Sequence, residues 1–171
     1  MGETRFQPAE IIAALERHAV RYVVIGGLAA TLHGSPTMTT DADICPAREG
    51  DNLERLARAL VELRARIRTP GAPGGLAFAC DATFLSRIEV ALNLTTRFGD
   101  LDLSFVPSGT SGFEDLRPQA VTMSLAGRPV AVASLEDVIR SKEAANRPKD
   151  QTALPVLRRL LHQLKTRGGD R

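Results

Sequence analysis

Between Val23 and Cys45 the chain reads VVIGGLAATLHGSPTMTTDADIC, and this stretch constrains the fold more than any other. Tyr22 to Ile25 is a run rich in β-branched residues that ends at Gly26-Gly27, so it reads as a short buried strand broken by a tight turn. Leu28 to His33 fits a short helix with Gly34 as its C-terminal cap. Ser35-Pro36 then turns the chain into a second strand, on which Asp41 and Asp43 alternate with Ala42 and Ile44. Both carboxylates leave one face of that strand, roughly 7 Å apart at the backbone, while Ala42 and Ile44 enter the core. Like charges so placed repel unless a cation lies between them, and oxygen ligands of this kind suit magnesium. A Gly-Gly turn at a helix start lets the backbone approach a phosphate closely, and its free N–H groups favour the negative charge. Each feature alone is weak, because Asp-x-Asp is common on solvated strand edges and Gly-Gly is common in turns. Joined at this spacing they become specific.

Composition sets the frame. With 171 residues, 43% of them apolar, the chain fits one domain with a substantial core. That domain divides into a core over about 8–133 and a helical C-terminal part over about 134–166. A net charge of +2 does not by itself point to nucleic acid or membrane. No apolar stretch approaches the ~20 residues that span a bilayer. The opening MGETRFQPAE lacks the apolar centre of a secretory signal, so a cytoplasmic location is expected, with no membrane partner. Cys45 and Cys80 form no C-x-x-C pair, and His18, His33 and His162 lack zinc-site spacing.

The remaining chain predicts an α/β architecture, with a small mixed β-sheet flanked by helices and a C-terminal helical segment. Pro8 opens a helix with Ile11, Ile12, Leu15 and Ala19 as its apolar stripe. Leu53, Leu56, Ala57, Leu60, Leu63 and Ile67 predict the clearest helix, and Thr69 to Gly75 reads as a loop. Leu76 to Leu94 is ambiguous between helix and strand. Leu94 to Phe105 reads as a hairpin turning near Arg97–Gly99, and a second hairpin turns at Ala126-Gly127. Ser134 caps a helix in an S-x-x-D arrangement with Asp137. One or two helices close the chain, with Pro155 expected at a boundary.

On the first hairpin Asp100 and Asp102 alternate with Leu101 and Leu103, so Asp102 can complete a three-carboxylate cluster. Such a cluster suits two metals about 3.5–4 Å apart, clamping the attacking and leaving oxygens of phosphoryl transfer. Lys142 falls in register with Leu135, Val138, Ile139 and Ala145, and a lysine on an inward face must snorkel or meet a charge. A phosphate or carboxylate contact is the favoured outcome. Lys149 is a weaker candidate, and Asp150 reads as an ordinary acidic residue in a first helical turn. Arg147 to Arg171 holds seven basic and two acidic residues, a run that is usually a solvated face and would also suit an RNA or acidic partner.

Strand, Gly26-Gly27, thirteen residues and then Asp41-Ala42-Asp43-Ile44 is similar to the signature of the DNA polymerase beta-like nucleotidyltransferase superfamily. More narrowly, this block with TTRFGDLDL and VASLEDVIRSKEAANRPKD resembles the small bacterial nucleotidyltransferases related to abortive-infection, AbiE-type toxins. The three blocks lie between Val23 and Asp150. The resemblance implies a minimal nucleotidyltransferase fold, dependence on Mg²⁺ (two ions with NTP bound), and an NTP such as ATP as donor. It places Gly26, Gly27, Thr39, Lys142 and Lys149 at the nucleotide, Asp41 and Asp43 on the metal, and Asp102 as the third metal ligand and the base. It leaves the acceptor open among a tRNA 3′ end, a protein side chain and a small molecule, and it implies an antitoxin partner if the chain belongs to a toxin–antitoxin pair. One departure is Thr37, where relatives often carry Arg. The competing expectation is a nucleotide-binding or interaction module of the same fold that has lost turnover.

Overall fold

A computed structural model describes residues 4–169. In chain order the elements are α1 (Pro8–Arg17), β1 (Tyr22–Ile25), α2 (Gly26–Leu32), β2 (Asp41–Pro46) and α3 (Gly50–Glu62). The hairpin β3 (Arg66–Thr69) and β4 (Ala72–Leu76), then α4 (Ala82–Ser86), β5 (Ala91–Thr96) and β6 (Gly99–Ser104) follow. Next come α5 (Phe113–Leu116), a short 3₁₀ turn, β7 (Val121–Leu125), β8 (Arg128–Val132), α6 (Leu135–Ala145) and α7 (Pro148–Gly169).

The eight strands form one mixed sheet in the order β4-β3-β5-β6-β2-β1-β8-β7. Only β1/β8 and β2/β6 run parallel. The β2/β6 pair is central, and its alternation explains the site. Ala42, Ile44, Leu101 and Leu103 are fully buried on one side, so the aspartates between them must face the other. The buried side is covered by α1 and α3, whose Ile11, Ile12, Leu15, Leu56 and Leu60 are also fully buried. Each such side chain contributes about 1.5–3 kcal/mol by leaving water. Helix α2 packs on β1, β2 and α6, and α6 packs on α7, which brings α2 and the C-terminal helices to one region.

Three sequence expectations are corrected. Thr69 to Gly75 is not a loop: it carries most of the β3–β4 hairpin, which joins the sheet through β5. Ile67 lies on β3 and not on the α3 stripe, because the helix ends at Glu62 and Arg64 takes a left-handed φ of 53°. Pro155 lies inside α7, where it is exposed while its neighbours Leu154 and Leu157 are buried. Tertiary packing of that stripe outweighs the one backbone hydrogen bond proline removes. The ambiguous stretch resolves into α4 followed by β5. Ser134 caps α6 as predicted, its hydroxyl accepting from Asp137 N at 3.1 Å. Among the described residues no helix is long and apolar enough to cross a membrane.

Candidate active site

The parallel register of β2 and β6 sets Asp41 opposite Asp100 and Asp43 opposite Asp102. Asp41, Asp43 and Asp102 each offer a carboxylate oxygen, and these oxygens all lie within 4.8 Å of one another. Asp100 faces the same way but is drawn aside. Its Oδ2 lies 2.9 Å from Arg68 Nη1, while Arg68 Nη2 donates to Asp102 Oδ1 at 2.8 Å.

Gathering the carboxylates raises the proton affinity of Asp43 and Asp102. Burial, together with the charges of Asp41 and Asp102, pushes the Asp43 carboxyl from 3.8 up to about 7, against the opposing pull of Lys149 and Lys142. Burial likewise raises Asp102 to about 6, with Arg68 opposing and Asp41 reinforcing the shift. The site is therefore short of positive charge.

Gly26-Gly27 opens α2 against this cluster. Gly26 has φ +62°, and a Cβ there would fall on Asp43 Oδ2, with Asp43 Cγ only 3.0 Å away. A Cβ at Gly27 would come within 3.0 Å of Thr39 Oγ1. The glycines thus let the chain turn and let two polar side chains approach its backbone. Thr39 in turn orients the first aspartate: its hydroxyl donates to Asp41 O at 2.9 Å, with Asp41 Oδ1 a second acceptor at 3.2 Å. The first turn of α2 leaves backbone N–H groups without intrahelical partners, as any helix start does.

Across the cavity stand α6 and the start of α7. Lys142 meets a carboxylate, with Nζ 3.5 Å from Asp150 Oδ1 and a side chain only 16% exposed. Asp150 is fully buried and also accepts from Arg147 Nε at 2.7 Å and Arg147 N at 3.1 Å. Burial alone would raise its carboxyl, but the side-chain and backbone hydrogen bonds from Arg147 outweigh that and hold it below the usual range. Asp150 is more than a first-turn acid, because it anchors two cations at the cavity wall.

All eight residues singled out from the sequence (Gly26, Gly27, Thr39, Asp41, Asp43, Asp102, Lys142 and Lys149) line one cavity of about 610 Å³. Thr37 and Arg147 line it too. Sequence reasoning does not single out Arg147 or Arg68. Arg147 stands inside the block that carries the resemblance, whereas no local pattern marks Arg68. The basic run after Arg147 is partly neutralised in place, by Arg147–Asp150, Arg158–Glu143 and Lys165–Glu136 pairs.

The mixed sheet with paired aspartates beside a glycine turn, closed by C-terminal helices, has the fold of solved nucleotidyltransferases. Among solved structures it is similar to the lincosamide antibiotic adenylyltransferase LnuA bound to lincomycin. That match has 13% identity and a TM-score of 0.61, and covers 92% of this chain and 99% of that one. It is also similar to the antibiotic-resistance factor ANT(2″)-Ia. The ANT(2″)-Ia solution structure matches at 16% identity and TM-score 0.55, over 94% of this chain and 90% of that one. Its complex with adenylyl-2″-tobramycin matches at 17% and 0.56, over 90% and 85%. No protein-family model matches the sequence, and a search of curated proteins finds no similar sequence. At these identities the likeness establishes the fold.

Proposed function

We propose that the chain is a Mg²⁺-dependent nucleotidyltransferase that moves a nucleoside monophosphate from an NTP to an acceptor hydroxyl. The observation that carries this reading is the convergence of three carboxylates, the glycine turn and two lysines on one cavity. The residues fit the ion: three hard oxygen donors lie within 4.8 Å, and Asp43 and Asp102 are pushed up by burial and then by neighbouring carboxylates, Asp41 for both. Asp41, Asp43 and Asp102 would hold Mg²⁺, which when bound supplies charge neutralisation at phosphoryl oxygens. The Gly26-Gly27 turn receives the triphosphate, and Lys142 and Lys149 supply positive charge on its far side. Asp102 takes the proton of the acceptor hydroxyl, whose oxygen forms a bond to the α-phosphorus as the bond to pyrophosphate breaks.

A small hydroxyl compound is the favoured acceptor. The structural neighbours include a lincomycin-bound adenylyltransferase and a complex with adenylyl-2″-tobramycin, both small-molecule products or substrates. The partial pairing of the basic run weakens the case for an RNA acceptor. The test is to incubate the protein with each α-labelled NTP and Mg²⁺ beside lincomycin, tobramycin, total RNA or no acceptor. Label should move to a small molecule and EDTA should stop it. Label on RNA, or on protein when no acceptor is added, would redirect the acceptor toward the AbiE-type reading and its antitoxin partner. Metal-dependent NTP binding with no transfer to anything would favour the module that lost turnover.

Two variants test the assignment within the cluster. Asp102→Ala should eliminate transfer while leaving some NTP·Mg²⁺ binding through Asp41 and Asp43. Asp100→Ala, outside the cavity wall, should stay within a few-fold of wild type. The reverse pattern would move the third carboxylate to Asp100.

Lys142 is tested by comparing Lys142→Ala with Lys142→Met. Methionine restores the buried stem, so it should recover melting temperature over alanine. Activity should remain at least about tenfold down in both, equivalent to ~1.4 kcal/mol of transition-state stabilisation. Full activity in Lys142→Met would remove the ammonium from the chemistry.

A further inference from the structure

Arg68 approaches the cluster from the β5 side of β6, away from β2. Its strand β3 pairs with β5 and not with β6, so the side chain crosses β5 to reach β6. On the way Nη1 donates to Leu94 O at 3.2 Å. The guanidinium then spans Asp100 Oδ2 at 2.9 Å and Asp102 Oδ1 at 2.8 Å. Asp102 belongs to the cavity wall, while Arg68 and Asp100 do not. Asp102 is thus held by Arg68 from the β5 side and meets Asp41 and Asp43 of β2 on the other.

We infer that Arg68 is the positioning residue of the third carboxylate, with Asp100 as its counter-charge. The catalytic half of this inference rests on the nucleotidyltransferase reading, and the metal-binding half does not. Asp102 sits beside two other carboxylates and would lower its energy by rotating away from them. Arg68 fixes Asp102 Oδ1 at 2.8 Å while Asp102 keeps a carboxylate oxygen within 4.8 Å of those of Asp41 and Asp43. A planar fork bridges two carboxylates two residues apart on a strand, and a single ammonium does not. Asp100 balances the added positive charge, so anchoring Asp102 does not reduce the site's attraction for a cation. An ordinary surface ion pair would do none of this and would contribute little. Here Asp102 is only 18% exposed and Arg68 33% exposed, and the arginine joins three strands.

The test variant is R68Q/D100N, which removes both charges and leaves the net charge of the site unchanged. R68K is the second variant. Mn²⁺ binding to the nucleotide-free protein is followed by electron paramagnetic resonance, alongside thermal unfolding and transfer kinetics. Outer partners of metal ligands typically matter by 10–100-fold. R68Q/D100N should therefore bind Mn²⁺ about tenfold more weakly and lose about 10–100-fold in kcat, with KM for NTP changed less than about threefold. R68K should keep the wild-type melting temperature without recovering Mn²⁺ affinity. Wild-type or tighter Mn²⁺ binding in R68K or in a folded R68Q/D100N would overturn the inference. If the wild-type protein transfers nothing, the transferase reading fails while the Mn²⁺ titration still reports on Arg68. If the wild type transfers and the variants match it in both measurements, only the positioning role fails.

Discussion

Asp43→Asn abolishes transfer and at the same time stabilises the metal-free protein above pH 7; that pairing is the first large effect expected. The folded protein raises the Asp43 carboxyl from 3.8 to about 7, chiefly by burial and then by Asp41 and Asp102. The folded state therefore holds a proton that the unfolded state has released, and stability falls as pH rises from about 4 to about 7. Above that window the penalty is complete, at roughly 1.4 kcal/mol for each pH unit the window spans and hence a few kcal/mol at most. Asparagine mimics the protonated acid and does not ionise. Wild type and variant should melt together near pH 4 and separate as pH rises, with the variant higher. Mg²⁺ should reverse the order by stabilising the wild type and leaving Asp43→Asn unmoved. Melting curves from pH 4 to 8 with and without Mg²⁺ check both statements. Activity in Asp43→Asn close to wild type would remove the metal cluster from the mechanism.

The parts of this site that are legible in the sequence are those set by local periodicity. Asp41, Asp43 and Asp102 can be placed on one face because strands alternate, and Ala42, Ile44, Leu101 and Leu103 fix which face is buried. The parallel pairing of β2 with β6, which sets Asp43 against Asp102, is a long-range fact that no local pattern encodes. The β3–β4 hairpin escapes sequence reading for a physical reason. TPGAPGG has the composition of a loop, yet an edge hairpin can be held by backbone hydrogen bonds, which leave no side-chain period. With that hairpin hidden, Arg68 is hidden too. Ile67 misleads because it keeps helical spacing from Leu63, one turn beyond where α3 ends. Lys142 reads correctly as meeting a charge, but its partner Asp150 reads as a local helix-start acid. An acid's position in a first turn does not reveal whether tertiary structure buries it.

Gly26→Ala is expected to give the second large effect, and a double-mutant cycle separates its two causes. At φ +62° an alanine carries the left-handed strain of about 1–2 kcal/mol. Its Cβ would also fall on the Asp43 carboxylate, a contact that pure turn strain does not involve. Asp43 cannot yield freely, because its backbone is paired with Ile25 on β1 and Asp102 on β6. The carboxylate must therefore rotate out of the cluster. Gly26→Ala should lower the melting temperature by several degrees, at about 2–4 °C per kcal/mol in a chain of this size, and should lose most of its stabilisation by Mg²⁺. In an Asp43→Ala background the carboxylate is gone and only Asp43's former Cβ position, 3.1 Å away, remains close. There the same substitution should cost little beyond the strain. The difference between the two backgrounds measures how tightly the turn and the carboxylate are fitted to each other. Equal costs in both would reduce Gly26 to a turn residue, and Mg²⁺ stabilisation surviving in Gly26→Ala would show that the turn does not set Asp43's place in the cluster.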